Sequence, residues 1–216
     1  GAAYEVDIGR VHTEISELVK APLLTLSGFG KQDVTETGSS RFCPGQQIIM
    51  TKWAGAAGAA ELAYVNKRSL MKYFPAVYVD EAVEYLWEKT AGESLLSIEK
   101  EIKTAWDMGA GAFHNVTKNG VFGALWEMAE MSHAGLEVNF AAIPVRQESI
   151  EICEQYGVNL YETDSLGSVL IGAEHGEDLV RRLREEGIPA AIIGRVTDGN
   201  DRTICRGEET RFLTPP

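Results

Sequence analysis

Residues 109–137 read GAGAFHNVTKNGVFGALWEMAEMSHAGLE, and the expectation for the fold starts from them. Phe113 to Val116 has strand character, Val121 to Ser132 carries apolar residues at helical spacing, and Thr117-Lys118-Asn119-Gly120 is a polar turn between them. The N–H groups at a helix start are unpaired, and the helix dipole favours negative charge there. The turn therefore has two readings: a plain helix cap with its loop, or an anion cradle able to hold a phosphate.

The neighbouring segments repeat the alternation of strand and helix. Downstream, strands are expected at 136–140, 168–173 and 190–197, and helices at 147–156 and 176–186, the latter opened by acidic residues and closed by Gly187. The closing segment, 202–213, alternates weakly and reads as one final strand. Upstream, 47–52 is a hydrophobic strand followed by AGAAGAAELAYV, whose small residues would let a helix lie close to a sheet. Helices are also expected over 79–88 and 95–108, the second with Leu95, Ile98, Ile102, Ala105 and Trp106 on one stripe. This order predicts an α+β layer, a sheet with helices covering one face. Tyr4 to Ile8 and Ala21 to Gly30 are two further strand candidates, and the Gly, Ser, Thr and Pro composition of 31–45 places a unit boundary near Gly45.

Composition limits the classes of function. A chain of 216 residues, 44% hydrophobic, can bury a core. It has no run of about 18 apolar residues, and its N-terminus lacks a charged region followed by an apolar stretch, so neither membrane span nor signal peptide is expected and the expected location is cytoplasmic. Cys43, Cys153 and Cys205 are odd in number and far apart, which argues for reduced thiols rather than a disulfide framework or a metal knuckle. A net charge of −12 with scattered basic residues argues against a nucleic-acid partner, while an anionic small molecule stays open because a local cradle can override the global field.

Five segments in order carry a family resemblance: MTKWAGAAGAAELA (50–63), HNVTKNGVFGALWEMAE (114–130), IPVRQESIEICEQYGVN (143–159), LGSVLIGA (166–173) and AAIIGRVTDGNDR (190–202). Together they resemble the C-terminal domain of the aminoimidazole ribonucleotide (AIR) synthetase superfamily over about residues 45–214, closest to the branch related to the hydrogenase-maturation dehydratase. Residues 7–31, DIGRVHTEISELVKAPLLTLSGFGK, are similar to the end of that family's N-terminal domain. The resemblance implies two regions, 1–44 as a remnant of the ATP-binding, barrel-forming and dimerising domain with a linker, and 45–216 as the C-terminal-like domain.

By the same resemblance, nucleotide or phosphate would be held by Asn115, Thr117, Lys118, Asn119 and Gly120, while His12, Thr13 and Glu14 are candidates for metal or substrate. The implied cofactors are ATP and Mg²⁺, and the implied partner is a second copy or a longer relative. The sequence departs from the family pattern Asp-x-Thr-x-Gly-Gly at two places. Asn115 replaces a carboxylate with an amide, and Asn119 replaces a glycine with a side chain expected to obstruct close backbone approach, while Lys118 adds a cation that could pair with phosphate. Arg10-Val11 stands where the family has Gly-Gly, and the chain closes FLTPP without the terminal cysteine of the hydrogenase-maturation members.

Two functional readings follow. One is an active ATP-dependent ligase or dehydratase that phosphorylates an amide or carbonyl oxygen, with its N-terminal part outside this chain; Gly1-Ala2-Ala3, without an initiator methionine, fits a trimmed end. The other, favoured for the chain as read, is a truncated homologue retaining nucleotide or anion binding and self-association. The residues do not choose among ribonucleotide, thiocarbamate and other carbonyl substrates.

Several residues have plainer expected roles. Trp87, Trp106 and Trp126 are expected as core anchors on apolar helical faces, and Cys153 as core. His114 is expected to form a structural hydrogen bond, Glu130 to lie on a solvated face, and Glu127 is the helix carboxylate with a chance of facing the site.

Overall fold

The computed structural model describes residues 9–15, 19–28, 41–87, 89–90 and 93–216, and the chain divides into two units, 1–36 and 37–216. In the first unit the described residues form neither helix nor strand and all are exposed. The strand expected at 4–8 lies outside the described residues. The one expected at 21–30 is not formed over its described part, 21–28, where Leu23, Leu24 and Leu26 stay more than 80% exposed. An extended segment without a neighbour gains no ladder hydrogen bonds and buries no face.

The second unit runs β1 (Gln47–Thr51), α1 (Ala56–Leu70), α2 (Ala76–Glu84), β2 (Lys89–Thr90), β3 (Glu93–Ser94), α3 (Glu99–Asp107), β4 (Ala112–Val116), α4 (Gly120–Ser132), β5 (Gly135–Asn139), α5 (Gln147–Gln155), β6 (Ser168–Ala173), α6 (Gly176–Glu185), β7 (Ala190–Thr197), β8 (Arg202–Arg206) and β9 (Glu209–Phe212). Short 3-10 turns cover Phe140–Ala142 and Leu160–Glu162. One mixed sheet has the order β4-β6-β1-β7-β5-β8-β9, antiparallel except for the β5–β8 pair. β4 and β9 are its edges. The α+β layer expected from the sequence is present, and the segment read as one final strand is a hairpin, β8 and β9, turning at residues 207–208.

The pleat decides what each face buries. Ile48, Met50, Leu170, Ile193 and Val196 point to the side covered by α4, through Val121, Ala124, Leu125 and Met128. Ile49, Val169, Ile171 and Ala190 point to the opposite side, where Ala105 of α3 and Leu179, Val180 and Leu183 of α6 close over them. Helices thus cover both faces rather than one. The central strands required this, because β6 is buried at every position and could not leave either face in water. Each large aliphatic side chain buried here contributes about 1.5–3 kcal/mol before the entropy of ordering is subtracted.

α1 does not lie against the sheet. Its small residues pack instead on Tyr85 and Leu95, on α2 and α5, and on the loop around Leu160. α2 begins and ends earlier than expected and α3 is shorter, with Leu95 buried in the turn ahead of it. Trp126 packs against the α4 core, but Trp106 is 39% exposed beside Phe113 and Trp87 is 69% exposed. Trp87 follows the end of α2, so the apolar face it was assigned to does not extend that far.

A buried cation ties three loops together. Lys52 follows β1 with a left-handed backbone (φ 55°) and is 3% exposed. Its ammonium donates to the carbonyls of Leu95 (2.9 Å), Ser97 (2.5 Å) and Gly167 (3.0 Å) and pairs with Glu101 at 2.6 Å. A buried charge needs such compensation, since an unpaired ammonium would be strongly destabilising. Among the described residues no helix is long and apolar enough to cross a membrane.

Candidate functional site

The turn between β4 and α4 is held from behind. Gly120 N–H donates to the Thr117 carbonyl (2.8 Å), which also accepts from Ser165 N–H (3.4 Å). The Ser165 hydroxyl in turn accepts from Gly55 N–H (2.7 Å) and donates to the Thr163 carbonyl (3.1 Å). Gly120 takes φ 62°, and a Cβ there would collide with the Tyr161 carbonyl and the Glu162 backbone. Only glycine meets both conditions without strain.

Among the described residues no side chain makes a capping hydrogen bond to the start of α4. Asn119, at the capping position, has φ −86° and ψ 11°, a backbone unlike the extended one of a capping residue. Its side chain runs along the helix, where a Cβ on Gly123 would strike it, and donates to Glu127 Oε1 at 3.3 Å. Glu127 Oε2 meets His114 Nε2 at 3.1 Å. The asparagine expected to obstruct the helix start is therefore folded back along its flank. Among the described residues the first-turn N–H groups have no side-chain partner, and apart from Gly120 N–H, already given to Thr117, they meet the condition under which a helix start favours an anion.

Among the expected site residues, Thr117, Lys118 and Asn119 project from the turn as exposed side chains, while Gly120 is buried. Alternation places exposed Asn115 on the same side of β4 as Phe113 and opposite His114 and Val116, so it leaves the α4 side of the sheet. His12, Thr13 and Glu14 belong to the first unit, exposed and outside helix or strand. His114 forms the side-chain contact expected of it, and Glu127 faces the turn. Glu130, expected to be simply solvated, pairs with Arg202 at 2.6 Å, and that guanidinium lies 4.2 Å from the centre of the Trp126 ring.

Sequence reasoning missed the cavity beside the turn. About 610 Å³ in volume, it lies between the first turn of α4, the β8–β9 hairpin and the closing residues 213–216. Phe122 and Phe140 line it, and both pack on Tyr161, with ring centroids at 5.3 and 4.6 Å. Burial raises the Tyr161 phenol above its ordinary pKa, opposed by the Arg206 charge, so the phenol is neutral at pH 7. Arg206 lies 5.4 Å from the Phe140 ring centre. Arg211 is neutralised by Glu209 at 2.6 Å. In sequence these groups are scattered over about 90 positions, and the hairpin that carries the arginines was read as one strand.

The Mg²⁺ implied by the family resemblance finds no assembled donor set here. Among the described residues no three His, Cys, Asp or Glu side chains converge. Glu127 is engaged by His114 and Asn119, which leaves Glu162 as the carboxylate facing the cavity without a partner among the described residues. One carboxylate can assist an Mg²⁺ brought with phosphate but does not define a protein site for it.

Comparison with known proteins identifies the fold. Residues 44–205 match the family described as "AIR synthase related protein, C-terminal domain". A selenide, water dikinase of Methanococcus maripaludis is 23% identical over 204 residues, covering 88% of this chain and 58% of that protein. A carbamoyl dehydratase HypE of Rhodobacter capsulatus is 29% identical over 91 residues, covering 40% of this chain and 27% of that protein. The crystal structure of a hydrogenase maturation protein HypE in complex with ATP superposes with a TM-score of 0.62 at 20% identity, covering 83% of this chain and 53% of that one. At that identity the likeness shows the fold. The chain spans less than two thirds of each of these relatives' own length.

Proposed function

The chain belongs to the AIR synthase related family through its C-terminal domain, residues 44–205, and on that premise we propose that it binds a nucleotide or other phosphate-bearing anion at the start of α4. The observation that carries the proposal is the uncapped helix start, with Asn119 tied back to Glu127 and Gly120 pressed against Tyr161 and Glu162. Thr117 and the α4 backbone would receive the phosphate oxygens, and Lys118, exposed and without an ion pair among the described residues, would add a point charge. A fold neighbour with ATP bound supports the choice of nucleotide.

Phosphoryl transfer asks a protein chiefly for positioning and charge stabilisation. This domain would supply phosphate positioning. Metal ligation and activation of an amide or carbonyl oxygen would need groups beyond those gathered at α4, and the domain by itself is proposed to bind rather than to catalyse. We place self-association in the same proposal, because Leu23, Leu24 and Leu26 are exposed apolar side chains that a second copy could cover.

Thermal unfolding with millimolar ATP, ATP with Mg²⁺, or tripolyphosphate tests the binding site, since a ligand of the native state raises the melting temperature. An upshift in wild type that falls in Lys118→Ala is expected. No upshift with any of the three overturns the proposal. Sedimentation at micromolar concentration should give a dimer or larger, and a clean monomer would count against self-association.

A further inference from the structure

We propose that the cavity between α4 and the β8–β9 hairpin is a second ligand site for a planar organic molecule carrying one anionic group and one N–H donor group, distinct from the nucleotide. The proposal rests on the preceding reading only in taking the start of α4 as the nucleotide's position. Its own grounds are the charge pattern and the aromatic surface of the cavity.

Arg211 and Glu209 both line the cavity and neutralise each other at 2.6 Å. Removing that pair from consideration leaves two charged groups on the wall without a partner of opposite charge among the described residues: the Arg206 guanidinium and the Glu162 carboxylate. The chain as a whole carries −12, so a guanidinium at this cavity without an ion pair among the described residues gives an anion a local attraction that the global field does not. One unpaired guanidinium matches one anionic group and can grip a carboxylate or a phosphate ester through two parallel N–H bonds. It does not match a polyphosphate, whose several charges would also face Glu162.

Phe122 and Phe140 supply the aromatic surface, their ring centroids 6.5 Å apart and the rings inclined at 44°. Both are held in place by Tyr161, stacked on Phe122 at an interplanar angle of 12° and tilted against Phe140 at 50°. Arg206 already sits over the face of Phe140, so a ring entering along Phe122 and Phe140 would bring its substituents toward that guanidinium. Glu162 would accept from an amine or amide N–H of the same ligand. A cavity of about 610 Å³ has room for a molecule of one or two rings. Isolated, either charge would read as ordinary surface; the complement of cation, carboxylate and ordered aromatic floor around one cavity selects a class of ligand.

The test uses 4-aminobenzoate as probe, with benzoate and cyclohexanecarboxylate as controls, in ligand-observed NMR titrations of the full chain. Expected is binding in the order 4-aminobenzoate, benzoate, cyclohexanecarboxylate. Arg206→Gln should weaken 4-aminobenzoate at least 5-fold, and Glu162→Gln should erase its advantage over benzoate. Both side chains are exposed, so these variants should remain folded, which an unchanged melting temperature would confirm. ATP should leave the probe bound. Displacement of the probe by ATP, equal binding of the planar and non-planar acids, or an unchanged affinity in Arg206→Gln overturns the second site. If ATP does not bind but the probe does with this pattern, the nucleotide reading fails and the second site stands.

Discussion

Asn119 donates its side-chain amide to Glu127 Oε1 at 3.3 Å, two turns along α4, instead of capping the helix that it precedes. The space it runs through exists because residue 123 has no side chain: a Cβ there would strike Asn119. Gly123→Ala should therefore force the backbone at Asn119 to shift, because the atom struck is the Asn119 Cβ, whose position no side-chain rotation changes. Overpacking of this kind costs about 1–3 kcal/mol against a gain in helix propensity of about 1 kcal/mol, so the variant should be destabilised by up to about 2 kcal/mol. Tripolyphosphate affinity by calorimetry should fall, and an affinity equal to wild type would show that the placement of Asn119 does not matter to the anion.

Gly120 carries a different constraint, a positive φ of 62° together with contact against the Tyr161 carbonyl. Gly120→Ala is expected to lower stability by at least about 2 kcal/mol in urea titration, the left-handed backbone contributing about 1–2 and the collision the remainder. A variant as stable as wild type would mean that the turn relaxes freely.

Lys52 and Glu101 form a buried ion pair at 2.6 Å. Removing one partner leaves the other charge stranded, so Lys52→Met should cost about 3–5 kcal/mol. The double change Lys52→Met with Glu101→Leu should be less damaging than Lys52→Met alone, although three carbonyls lose a donor in both. Chemical denaturation of the three proteins decides it, and a double variant worse than the single one would contradict the pairing.

Thr104 donates to Glu186 Oε2 at 2.8 Å, and this bond, with the charges of Arg182 and Lys100, holds the Glu186 carboxyl below its ordinary pKa against the opposing effect of burial. A carboxyl depressed in the folded state stabilises above its unfolded pKa and loses that contribution as pH falls through the folded value. Thr104→Val should thus destabilise by about 1–2 kcal/mol at pH 7, with part of the difference from wild type lost by pH 3. Urea midpoints at the two pH values test this; a difference that grows on acidification would reverse the sign.

Cys153 is 1% exposed, and burial pushes its thiol up to about 11. Cys43 is exposed. A disulfide reagent at pH 8 should label Cys43 quickly and reach Cys153 only on unfolding, since the thiolate is the reactive form. Equal rates at the two sites would mean that Cys153 is not packed as described.

The places where the sequence reading succeeded share a cause. β6 and β7 were located from end to end, and α4 and α6 to within one residue at either end, because each is bounded by glycine or polar residues and has a period that local chemistry imposes. Trp87 was misplaced because helical spacing does not reveal that α2 stops at Glu84. The hairpin at 202–212 was read as one strand because its turn has only Gly207 as a signal. At the candidate site, the polar turn Thr117 to Gly120 was legible from composition as a turn before a helix, whereas Phe140, Glu162 and Arg206 come from three separate stretches and meet only in the folded domain.

The sequence by itself determined the family and the alternating layer of strands and helices, since local periodicity and ordered motifs survive without any knowledge of contacts. Tertiary structure alone decided that helices cover both faces, that Asn115 leaves the α4 side, that Asn119 is drawn back from the helix start, and that Arg206 faces the cavity beside α4 without an ion pair among the described residues. These are outcomes of side chains choosing among local and distant partners: Asn119 reaches Glu127 along the same helix and Arg211 reaches Glu209 on the same strand, while Arg206 meets the ring of Phe140 from a distant stretch of chain. Hydrogen-bond geometry and burial settle such competitions only after the sheet has brought the competitors together.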